Sequence, residues 1–183
     1  FTFSCTCPNI ANSETIKVPN KKFVKVFKTL TVVECINKDK KEICIKRSYK
    51  SVGSGIIVNI APKTNIILTA GHVCKTALPD NPNIKGHAEF ISVLDFQELQ
   101  HESLVIKVGS GYTGSSGVDL CALFVPSIKT KGVKLSNRPP AIGETVYSMS
   151  APLGIYHPPT VPVFRGVFSG PVREFASMTT IPA

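Results

Sequence analysis

No uninterrupted apolar run in the 183 residues approaches the roughly 18 that a transmembrane helix needs, so this chain holds no such helix. Acid is scarce too: 12 acidic residues, four of them Asp, stand against 21 basic ones, for a net charge of +9. Six cysteines are too few for a small disulfide scaffold but enough for a few staples. Tryptophan is absent, which by itself excludes nothing. No internal repeat organises the 14 Pro and 13 Gly, which therefore mark many tight turns. The rest is 43% hydrophobic and 18% charged, too apolar for a disordered chain and long enough for one large domain or two small ones. Its positive balance permits contact with nucleic acid, an anionic surface or an acidic protein.

The chain opens on Phe1 rather than Met, so its true start is expected to be lost or not shown. Thr2-Phe3-Ser4-Cys5 has the look of a lipoprotein signal's end, but the apolar segment that should precede it is absent, and the reading carries little weight. Residues 1–20 are expected to form an N-terminal tail, with Cys5 and Cys7 pairing elsewhere or lying in a flexible stretch.

From Lys21 onward the pattern is of short β-rich runs separated by turn chemistry. Phe23 to Lys28 and Leu30 to Val33 interleave β-branched and aromatic residues with Lys, and both read as extended. Asn37 to Glu42 forms a polar break before Ile43-Cys44-Ile45-Lys46-Arg47 alternates again. Pairing these runs antiparallel sets Cys35 opposite Cys44, with eight residues between them. A cross-strand disulfide there would contribute about 2–3 kcal/mol. Two buried thiols are the plainer alternative.

Ser54 to Ile60 and Ile66 to Thr69 flank a polar turn at Pro62 to Asn65, and together predict a hairpin buried on both faces. Further strands are expected at Ala88–Leu94, Leu104–Val108, Leu120–Val125, Thr145–Met149, Val161–Phe168 and Arg173–Thr179. That spacing predicts an all-β barrel or sandwich, with no useful helical period beyond one turn after Ala70. Val108 to Gly117 reads as a Gly-rich flexible loop, Pro139-Pro140 and Pro158-Pro159 as two more, and Ser127 to Gly143 as a linker between two halves.

Of the four histidines, His87, His101 and His157 stand in ordinary contexts and read as surface or partly buried polar residues. His72 differs. It follows an apolar strand through the small residues Ala70 and Gly71, a turn able to project an imidazole suited to general-base work. A structural His at a strand end is the blander account. Among the acids, Asp39 and Asp80 lie in polar turns, and Asp95 ends a strand amid a Gln, Glu and His cluster with a surface signature. Asp119 opens the apolar strand Leu120 to Val125, where a carboxylate needs a partner because bare burial costs several kcal/mol. An imidazole would satisfy it, and the carboxylate would fix the ring's tautomer in return.

Ser54-Gly55-Ile56-Ile57-Val58, then Ile67-Leu68-Thr69-Ala70-Gly71-His72-Val73, then Asp119-Leu120-Cys121-Ala122-Leu123, resembles the trypsin/chymotrypsin-like serine endopeptidases, nearer their bacterial and viral branches. The His-to-Asp separation of 47 residues suits that family. The resemblance runs well from about Lys21 to Val125 and loosely beyond. It implies two six-stranded antiparallel β-barrels with the active site between them. The first would span 21–126 and carry His72 and Asp119 as catalytic residues, and the second would occupy 132–183 with only its opening strands. Those strands would be Gly143 to Met149 and Val163 to Gly170. The resemblance implies no cofactor and no metal.

One departure matters. The family's nucleophile sits in Gly-x-Ser-Gly, and no such motif follows Asp119. Gly114-Ser115-Ser116-Gly117 precedes Asp119 and reads as loop, Ser169-Gly170 belongs to a strand before the nucleophile's place, and no Cys lies after Cys121. Truncation, cleavage near Ala183 and degeneracy compete. An open sheet edge argues for an absent C-terminal continuation or second chain that completes the barrel, with the serine beyond residue 183. Cys74 and Cys121 each lie two residues past a proposed catalytic residue, so a disulfide could brace the site, and two free thiols packing as small hydrophobes are equally admissible. Disulfides would imply export or an oxidising compartment.

The leading expectation is a serine endopeptidase acting on protein or peptide substrate. A catalytically inactive protease-fold module in a larger assembly, such as a virion, is the alternative. Nucleic-acid binding ranks last, because the 17 Lys are scattered and no aromatic platform accompanies them. Solvated Lys on strand faces also guards edges against aggregation.

Overall fold

In the computed structural model the described residues are 19–61, 64–75, 78, 81–109, 118–150 and 159–170. Cys5, Cys7, turn residues 62 and 63, Asp80, His157, the Gly-Ser-Ser-Gly segment and the expected strand at 173–179 lie outside them.

Strand β1 runs unbroken from Phe23 to Lys38, so the two runs expected there are one element. The polar break shrinks to two residues: Asp39 and Lys40, both at positive φ (53° and 63°), reverse the chain, and Lys38 pairs directly with Lys41. A two-residue turn of that hand matches the twist of the strands it joins. Strand β2 then runs from Lys41 to Ala61, merging two expected strands, because β1 pairs with it continuously from Lys41 to Ile56. Cys35 faces Cys44 in that register, and their sulfurs are bonded.

Strand β3 (Thr64–Thr69) returns antiparallel along β2. Burial on both faces is not what this hairpin has. Ile57, Val58 and Ile67 are buried, while Ile60 is 54% exposed. Pairing with β1 reaches only to Ile56, opposite Phe23, so beyond it the edge of β2 at Val58 and Asn59 is taken by Val133 and Lys134. A four-residue helix, α1 (Gly71–Cys74), follows, then β4 (Ile84–Leu94), β5 (Gln100–Glu102), β6 (Leu104–Val108), β7 (Cys121–Phe124) and β8 (Val133–Lys134).

The sheet order is β5-β4-β1-β2-β3-β7-β6. Its two ends, β5 and β6, are halves of one bent strand joined at Ser103, whose N–H and hydroxyl both donate to Ile91 O. The sheet therefore curls back on itself through that bend as a half-barrel, antiparallel throughout except where β8 pairs parallel to β2. Val24, Val26, Ile57, Ile67, Val73, Ile91, Val93 and Leu123 fill it. The architecture is all-β, as the sequence predicts.

Beyond β8, β9 (Thr145–Met149) and β10 (Val163–Val167) form a separate antiparallel pair. Met149 and Val161 pack on Phe23, at the start of β1. Lys28 departs from the expectation of solvated lysines. Only 3% exposed, it projects from the same face as Val24 and Val26, with Nζ 3.2 Å from Glu89 Oε1.

Candidate active site

Two chain segments, 47 residues apart, meet at the end of the β3–β7 pair. Thr69 is the last residue of β3 and pairs with Cys121, the first of β7. Its hydroxyl donates to Ser54 O at 2.8 Å, fixing the strand end. The chain then turns into α1, where Lys75 N–H closes on Gly71 O and Val73 N–H on Ala70 O. Val73 reaches back across β2, where a Cβ on Gly53 would stand 2.7 Å from Val73 Cγ2. Only glycine at 53 lets the helical turn sit this close. Val73 and Cys74 point inward, and His72 points out with its side chain 68% exposed.

The partner segment is held by a second close approach. Gly109 N–H donates to Leu120 O at 2.7 Å, and a Cβ on Gly109 would lie 2.1 Å from Val118 O. The chain therefore leaves the sheet after β6 and returns at Val118 beside its point of departure. Behind this junction Cys74 and Cys121, both buried, are joined by a disulfide with Cα atoms 6.3 Å apart.

Asp119 is thereby set against His72 at two points. The His72 main-chain N–H donates to Oδ1 at 2.8 Å, and the ring Nδ1 lies 2.8 Å from Oδ2. An ionised carboxylate can only accept, so Nδ1 carries the proton of this contact and Nε2 stands on the far side of the ring. Burial pushes the Asp119 carboxyl up. Against it act the His72 ring and main-chain hydrogen bonds, the His72 charge and the Gly71 N–H, and these hold it below the usual carboxylate range. The carboxylate is not buried as its strand-leading position suggests. Its side chain is 45% exposed, because β7 begins only at Cys121 and Leu120 is itself 44% exposed.

A second Asp–His–Ser array went unread in the sequence. Asp95, assigned there to the surface, is 6% exposed. Its Oδ1 accepts the N–H groups of Gln97 and Leu99, and its Oδ2 lies 3.0 Å from His101 Nε2. The other ring nitrogen, Nδ1, is 2.7 Å from Ser127 Oγ. This array ties the β4–β5 turn to the chain leaving β7. With a side chain only 11% exposed, His101 is poorly placed to meet a substrate, whereas His72 is open to one. A strand-end Asp followed two residues on by Gln was the one local hint of the turn it caps. His87, the remaining described histidine, is exposed.

Among the described residues, one group of metal-ligating type has its atoms within 4.8 Å of one another: Cys35, Glu42 and Cys44. Both sulfurs there are committed to the disulfide. No helix among these residues is long and apolar enough to cross a membrane.

No family model and no curated protein matches the chain. Among solved structures it is similar to the active form of the Rv3671c protease from M. tuberculosis, at 16% identity and a TM-score of 0.49 over 84% of this chain and 50% of that one. A serine-to-alanine mutant of Rv3671c in its inactive form gives 15% identity and a TM-score of 0.48 over 84% and 55%. The chain spans about half the length of these proteins.

Proposed function

We propose that this chain is the His- and Asp-bearing part of a trypsin-like serine endopeptidase. One observation carries the reading: Asp119 grips His72 through both ring and main chain, leaving an exposed imidazole whose free nitrogen faces away from the carboxylate. In this mechanism His72 Nε2 takes the proton of a serine hydroxyl as that oxygen attacks the peptide carbonyl, then returns it to the departing amine. Asp119 holds the tautomer and stabilises the imidazolium formed between those steps. The serine is assigned to polypeptide beyond residue 183, as a C-terminal continuation or a second chain, because no Gly-x-Ser-Gly follows Asp119 here. The working division is 21–126 as the first barrel and 132–183 as the opening of a second, whose β9–β10 pair would form the other wall of the cleft. No cofactor enters the chemistry. Two disulfides favour a secreted or otherwise extracytoplasmic setting.

The test is active-site labelling of the complete protein with a fluorophosphonate, together with peptide hydrolysis. His72→Ala is expected to slow both by at least about 10³-fold, and Asp119→Asn by about 10⁴-fold through the wrong ring tautomer. Labelling that survives His72→Ala would remove this histidine from the mechanism. A correctly folded complete protein that neither labels nor hydrolyses would leave the inactive, assembly-forming reading in its place.

A further inference from the structure

The β1–β2 hairpin extends past the barrel, and its free end has a composition unlike the rest of the chain. From 38 to 50 there are six basic residues against two acidic, and every residue from Ile36 to Lys50 that faces solvent does so as an exposed position. The register sorts these side chains by face. Lys38 pairs with Lys41, Ile36 with Ile43, Glu34 with Ile45, Val32 with Arg47 and Leu30 with Tyr49, all projecting from one side. On that side Ile36 (42%), Ile43 (42%), Ile45 (44%) and Tyr49 (54%) are large apolar groups open to water. The opposite side carries the Cys35–Cys44 disulfide, which pins the register three rungs from Lys38 and Lys41.

Exposed isoleucines clustered on a rigid arm are not neutral surface. They mark contact with another apolar phase. Charge narrows the choice. Lys38, Lys40 and Lys41 crown the tip, two rungs beyond Ile36 and Ile43, while Glu34 is set against Arg47 at 4.0 Å rather than against the lysines. Lys38 and Lys41 project from the same face as Ile36, Ile43 and Ile45, so the arm laid on that face brings the isoleucines to the headgroup–acyl boundary while flexible lysine stems keep their charges at the phosphates. Tyr49 is the single aromatic among these rungs, short of the series of rings on which successive bases stack.

We propose that this hairpin is an interfacial anchor that seats the protein on an anionic lipid surface, with Ile36, Ile43 and Ile45 entering the boundary and Lys38, Lys40 and Lys41 holding lipid phosphates. The proposal is independent of the catalytic reading, since it is measured by binding. The test is co-sedimentation with vesicles of 30% phosphatidylserine in phosphatidylcholine, beside vesicles of phosphatidylcholine alone. The wild type is expected to bind the anionic vesicles at least tenfold better. Lys38→Glu/Lys41→Glu should lose tenfold or more, and Ile43→Ser/Ile45→Ser a comparable amount with all charges intact. These positions are exposed, so circular dichroism should confirm an unchanged fold. Equal binding to both vesicle types overturns the proposal. So does anionic binding that the Ile43→Ser/Ile45→Ser variant keeps in full, which would be charge adsorption alone. Capture by polyglutamate or single-stranded DNA without vesicle binding would assign the arm to an acidic macromolecule instead.

Discussion

At the scale of single residues, Asp119 is the side chain whose behaviour reports most directly on the site. It accepts hydrogen bonds from the His72 ring and main chain, and these outweigh the upward push of burial. A depressed carboxyl contributes stability that is present above its unfolded pKa and lost as pH falls through the folded one. The Asp119–His72 contact should therefore persist below the pH range where ordinary carboxylates protonate. Carbon NMR titration of the Asp119 carboxyl reads this, and His72→Ala should move its midpoint upward. An unmoved midpoint would mean that the imidazole contributes nothing to the carboxylate's environment. Both residues were legible in the sequence because small residues and an apolar strand precede His72, while Asp119 is the one Asp that leads into an apolar run. Asp95 was misread for the converse reason: its partners are the turn amides of Gln97 and Leu99 and the ring of His101, whose other nitrogen meets Ser127 26 residues further on, an arrangement set by the fold of the turn.

The elements explain how these residues are held. Asp119 sits on the short stretch between Val118 and β7, which the Gly109 N–H to Leu120 O hydrogen bond clamps to the end of β6. A methyl group at 109 would collide with Val118 O, a main-chain atom that cannot rotate aside. Gly109→Ala is therefore expected to displace the Val118–Leu120 segment and cost about 1–3 kcal/mol, as overpacking does. More specifically, it should raise the Asp119 midpoint toward an ordinary carboxylate, measured by the same titration alongside urea unfolding. A stability loss with an unchanged midpoint would show that the clamp supports the barrel without positioning the carboxylate. Glycines around Ser115 drew attention in the sequence as a flexible loop, but a requirement for glycine at 109 depends on a contact across the loop's base. Strand lengths were similarly hidden. Ser48 to Gly53 belongs to neither of the two runs that flank it in the sequence, yet continuous pairing with β1 keeps it extended.

Over the whole molecule, the curl of the sheet was the feature least accessible to pattern, because β5 and β6 look like two short strands and become one only through the bend at Ser103. The all-β class was accessible, since alternation and turn residues are local. So was the facing of Cys35 and Cys44, because two β-rich runs flanking one polar break pair antiparallel about its centre. The two disulfides differ in what they constrain. Cys35–Cys44 closes 9 residues within one hairpin, while Cys74–Cys121 closes 47 and joins the segments bearing His72 and Asp119. Loop-closure entropy assigns about 2.5 kcal/mol to the first and about 4 kcal/mol to the second. Cys74→Ser/Cys121→Ser should therefore destabilise the protein more than Cys35→Ser/Cys44→Ser in urea unfolding under oxidising conditions. It should also release Asp119, raising its midpoint, while the hairpin variant leaves that midpoint where it was. The reverse order of destabilisation would mean that native packing, rather than the covalent tie across β7 and α1, holds the two halves of the site together.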